Sequence, residues 1–146
     1  MEGSENGIRI YVEIKHIRNL VKSVKAHPFS LGKAPHTLRE LIEESVRTCI
    51  KAYRLRADSS AHPSPLTDEQ WDEMKEIGKF AFGVHYNDRA VDEAKAVETA
   101  IEAFSDGLVR IFKGTSELTE LDGGIDISDG DTFTFVRLTM LTGLLW

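Results

Sequence analysis

The stretch SDGDTFTFVRLTML, residues 128–141, constrains the fold more than any other. Side chains alternate between the two faces of a strand. Phe133 and Phe135 therefore share one face, while Val136, Leu138 and Met140 share the other. A strand that is apolar on both faces belongs inside a sheet, with neighbours on both edges and cover above and below. The last strand of the chain is thus expected at the centre of a sheet whose other members come from earlier in the sequence.

Candidates for those members begin at once. IRIYVEI places Ile8, Ile10, Val12 and Ile14 at alternate positions, the pattern of a strand with one buried face. RNLVKSVKAHPFSLG is less regular, and Val24, Ala26, Phe29 and Leu31 in it suggest a second strand, with Pro28 marking an edge or a bulge. The short connection between the two predicts a hairpin. Helical spacing takes over at Thr37. Thr37 and Glu40 form a capping box, in which each side chain satisfies a free backbone N–H at the helix start. Leu38, Leu41, Ile42, Val46, Cys49, Ile50 and Tyr53 recur three and four residues apart as one apolar stripe. Arg47, Lys51 and Arg54 line the other side, and the helix is expected from about Leu38 to about Arg54.

ADSSAHPSP, from Ala57 on, is a loop by composition. Thr67 and Gln70 repeat the capping box, Leu66 and Trp71 suit a hydrophobic staple, and Gly78 is placed to stop this second helix. KFAFGVHYNDRAV is expected to be extended, with a turn at Asn87-Asp88. A third helix follows, with Val97, Ala100, Ile101 and Phe104 on its apolar face and Gly107 as its stop. LVRIFKG is a strand, and SELTELDGGIDISDGD holds short extended pieces between two acidic turns.

This order, and above all LVRIFKGTSELTELDGGIDISDGDTFTFVRL together with PHTLRELIEES, resembles the β-grasp (ubiquitin-like) fold. The resemblance implies an α+β fold: a β-grasp-like mixed sheet with one main helix, the last strand central. Residues 1–146 would form a single β-grasp-like domain, with an inserted two-helix segment at about 57–106 packed on or beside the sheet. FGVHYND, AIEAFSDGLVRIF and FVRLTML also resemble a bacterial family of unassigned function. That likeness implies a cytoplasmic bacterial protein and supplies no activity. Ubiquitin-like carriers react through a flexible terminal Gly-Gly. Here Gly143 is followed by Leu144, Leu145 and Trp146, and the one Gly-Gly, at Gly123-Gly124, falls in a turn. The last strand is read as architecture.

Apolar residues make up 41% and charged residues 29%, the balance of a soluble globular chain. No apolar run approaches the ~18 residues of a membrane span, and the first residues show no secretory pattern. The single cysteine, Cys49, permits no intrachain disulfide and fits a reducing cytoplasm. It lies on the apolar stripe and reads as core. Net charge is −6, but residues 1–56 are net basic and residues 57–106 net acidic. The basic part is expected to face the acidic part, so nucleic-acid binding through Arg47, Lys51 and Arg54 is disfavoured.

The five histidines show no metal-ligand spacing and are expected at the surface; no metal and no cofactor is implied. Asp122, Asp126, Asp129 and Asp131 lack the order of a calcium loop and read as turn residues. The densest polar cluster is His85, Tyr86, Asn87, Asp88 and Arg89, which holds a base, an amide and an anion-binding group. It is the candidate binding site if the chain is a small enzyme or ligand binder. No catalytic constellation accompanies it. The leading expectation is a non-enzymatic protein-interaction module, with Val136, Leu138 and Met140 facing a protein partner or a second copy.

Overall fold

The computed structural model describes residues 7–16, 24–57, 67–84 and 92–137. The fold is α+β. Its elements are β1 (Ile8–His16), β2 (Val24–Leu31), α1 (Leu38–Ala57), α2 (Asp68–Phe82), α3 (Glu93–Ser105), β3 (Val109–Lys113), β4 (Ser116–Leu118) and β5 (Thr132–Arg137). The strands form one mixed sheet in the order β2-β1-β5-β3-β4. β5 is central, as its composition requires, and runs parallel to β1 with Val12 opposite Phe133 and Ile14 opposite Phe135. On its other side β5 is antiparallel to β3. β1 and β2 are antiparallel, with a register irregularity between Val12 and Ile14. Pro28 stands exposed on β2, an edge strand, where its missing N–H removes no ladder bond.

Alternation sets the core. Ile10, Val12 and Ile14 of β1, Phe133 and Phe135 of β5, and Val109 and Ile111 of β3 are all buried on one face of the sheet. Helices cover that face. α1 buries Leu38, Leu41, Ile42, Val46, Cys49 and Ile50, the expected stripe. α2 contributes as fully, through Trp71, Met74, Ile77, Ala81 and Phe82. Phe82 meets Phe135 edge to face at 5.0 Å between ring centroids, a geometry that aromatic quadrupoles favour. Tyr53 of α1 stacks on Trp71 of α2 at 6.1 Å. α3 packs against α1, α2 and β3. The cover of the sheet is therefore shared between α1 and α2.

Helix ends follow the caps. Thr67 and Gln70 make the full capping box at the start of α2, and Asp92 caps α3 through the Lys95 N–H. Gly107, at φ 80°, follows α3 as its stop. Gly78 does not stop α2, contrary to the sequence expectation. It is buried inside the helix, which runs on to Phe82 and closes at Gly83 with φ 69°. Ala81 and Phe82 continue the apolar stripe, and that burial outweighs the roughly 1 kcal/mol cost of a glycine inside a helix. The extended segment expected from Lys79 is thus helical through Phe82. α1 also runs three residues past its expected end.

The basic and acidic parts of the chain meet as expected. Arg47 of α1 pairs with Glu93 of α3 at 3.0 Å and with Glu44 at 3.0 Å, and Arg54 lies 3.5 Å from Glu93.

Candidate functional site

The helices occupy one face of the sheet. Register and alternation place Tyr11 and Glu13 of β1, Thr134 and Val136 of β5, and Phe112 of β3 on the opposite face. All five are half-buried. Tyr11, Phe112 and Val136 stand apart from the hydrophobic core and from the partly buried residues packed on it. Thr134 sits between Glu13 and Phe112 in register and donates its hydroxyl to Glu13 Oε1 at 3.3 Å. Arg9, Arg110 and Glu117 are exposed around this centre. The result is a mixed surface in which Tyr11, Phe112 and Val136 stand around the Thr134–Glu13 pair with charges of both signs beside them, uncovered by any helix among the described residues. Of the residues expected to face a partner, Val136 lies on this patch, while Leu138 and Met140 fall outside the described residues. So do His85, Tyr86, Asn87, Asp88 and Arg89.

A hollow lies at the β4 edge. It is an open groove of about 730 Å³ between the end of α3, the start of β3 and the segment 117–123. Phe104, Val109, Leu118 and Leu121 supply apolar lining, and Arg39, Arg110, Glu117, Glu120 and Asp122 supply charge. Arg39 forks onto Asp122, with Nε 2.9 Å from Oδ1 and a terminal nitrogen 3.3 Å from Oδ2. Arg110 lies 3.9 Å from Glu117. Gly123 comes so close to Glu120 that a β-carbon on it would sit 2.9 Å from the Glu120 Cβ, so this turn requires glycine.

Arg39 holds the Asp122 carboxyl below the usual carboxylate range, first through the hydrogen bond and then through its charge. A lowered folded value means that this contribution is complete above the ordinary carboxylate value of about 3.9 and is lost as pH falls through the folded value. Wild type is therefore expected to melt above Asp122→Asn at pH 6, with the gap closing towards pH 2 in thermal melts. A gap unchanged at pH 2 would contradict the ion pair as its source.

The other turn carboxylates are also structural. Asp129 accepts the Arg9 N–H at 2.8 Å. Asp131 accepts the Ser128 N–H at 2.8 Å and lies 3.4 Å from the Lys113 ammonium, which also donates to the Asp126 carbonyl at 2.6 Å. Among the described residues no group of three or more His, Cys, Asp or Glu converges to hold a metal ion. Nor is any described helix long and apolar enough to cross a membrane.

One histidine corrects the sequence reading. His27 is not at the surface. Its side chain is 1% exposed, on the same face of β2 as Phe29 and Leu31. Nδ1 lies 2.8 Å from Glu73 Oε1 of α2, and the ring meets Phe29 edge to face at 5.8 Å. Nε2 has no hydrogen-bond partner among the described residues. The pair fastens the insertion to the edge strand. Its signal in the sequence was the two-residue spacing of His27, Phe29 and Leu31.

Comparison with known proteins finds no matching family model, no matching curated protein and no matching solved structure.

Proposed function

We propose that this chain is a non-enzymatic protein-interaction module on a β-grasp framework, and that it docks a protein partner on the open face of its sheet. The observation that carries the reading is the trio Tyr11, Phe112 and Val136, half-buried on the face opposite the helices. Aromatic and aliphatic side chains left half-buried among polar and charged groups of both signs suit a protein interface, which is about as apolar as the rest of a protein surface and enriched in aromatic residues. The strand order β2-β1-β5-β3-β4, with the first and last strands parallel neighbours, supports the β-grasp framework. The reading places the module in a bacterial cytoplasm, where its single cysteine stays reduced.

A photo-crosslinking residue at position 112 tests it in host cells. The expected result is a discrete adduct with one protein, absent when the same residue replaces exposed Glu98 on α3. Adducts equally frequent from both positions, or none from position 112, would sink the proposal.

A further inference from the structure

The two edges of the sheet differ. β2 carries Pro28, which lacks an N–H and blunts that edge against strand addition. At the other edge β4 covers only part of β3, pairing Ile111, Phe112 and Lys113 with Leu118, Glu117 and Ser116. Val109 and Arg110, the first two residues of β3, have no strand beside them on that side among the described residues. The 730 Å³ groove lies directly against them. Its partly buried apolar residues Phe104, Leu118 and Leu121 flank the core. Its charges do not balance. Arg39 is forked by Asp122 and Arg110 faces Glu117, which leaves the exposed Glu120 as the surplus charge. The protein as a whole carries −6.

We infer that this groove accepts a short extended segment of another protein, alternating basic and apolar residues, as a strand added beside Val109 and Arg110. Main-chain hydrogen bonds to the unpaired start of β3 hold the segment, and alternate side chains read the two sides of the groove. Apolar side chains settle over Phe104, Leu118 and Leu121, and a basic one meets Glu120. This site shares Arg110 and Glu117 with the rim of the open sheet face but does not use Tyr11, Phe112 or Val136, so either reading can fail without the other.

Amide NMR titration of the full chain tests it with a capped pentapeptide of alternating valine and lysine. Shifts are expected at Val109, Arg110, Leu118 and Thr119. A peptide with glutamate for lysine should bind roughly tenfold more weakly. A lysine peptide N-methylated along its backbone should also lose roughly tenfold, the scale of one or two lost hydrogen bonds. Glu120→Lys should reverse the preference between the lysine and glutamate peptides, while Glu98→Lys on α3 should not. Absence of shifts at 10-millimolar-scale peptide, roughly the weakest binding worth the name, would overturn the inference. So would shifts spread over the acidic surface that N-methylation leaves unchanged.

Discussion

Phe135→Ala should destabilise the protein by about 3–5 kcal/mol, the usual cost of emptying a buried phenylalanine site. Phe135 is 1% exposed at the centre of the central strand. Its ring is one point where α2 meets the sheet, through Phe82. Loss of that edge-to-face contact adds to the cavity, by about 0.5–1.5 kcal/mol. Urea unfolding followed by circular dichroism should show a lower midpoint with an unchanged slope. A loss below about 1 kcal/mol would mean that the site is not close-packed.

Removal of Glu73 from the His27–Glu73 pair should cost more than removal of His27 or of both, because His27 is the buried member and Glu73 is 48% exposed. Glu73→Ala leaves the ring buried with neither nitrogen bonded among the described residues. An orphaned buried polar group costs about 1–3 kcal/mol. His27→Leu removes the ring and with it the orphaned Nε2, and apolar replacement of buried polar partners is often close to neutral. Glu73 keeps its own solvation, because its side chain is 48% exposed. The expected order of stability is wild type, then His27→Leu near it, then Glu73→Ala, with the double variant close to His27→Leu. A Glu73→Ala variant as stable as wild type would show that the hydrogen bond contributes nothing.

What was legible in the sequence was whatever rests on local periodicity. Two-residue alternation gave β1 and the central β5, and three- and four-residue spacing gave α1 and the buried Cys49. Capping chemistry fixed the start of α2. The errors came where tertiary contacts overrode a local signal. Gly78 carries the chemistry of a stop, but burial of Ala81 and Phe82 prolongs the helix to Gly83. In β2, Val24 and Ala26 fall out of step with Phe29 and Leu31, and the register irregularity opposite Val12 and Ile14 absorbs the difference. Taking all five histidines as surface residues hid His27 on the core face. The open face was half legible. Val136 stood out from Phe133 and Phe135 by parity alone, but only the register shows that Tyr11, opposite Thr132, and Phe112, opposite Thr134, share its side of the sheet. The groove was not legible, because it joins α3, β3 and the segment 117–123.

The central claim is that the helices take one side of the sheet and leave Tyr11, Phe112 and Val136 on the other for a partner. Paramagnetic relaxation by a soluble gadolinium chelate measures this residue by residue. The account predicts strong relaxation at the side chains of Tyr11, Phe112 and Val136 in the isolated protein, against almost none at Phe29, Phe133 and Phe135. Protection of the first three at the level of the core, in a monomer without any partner, would contradict it.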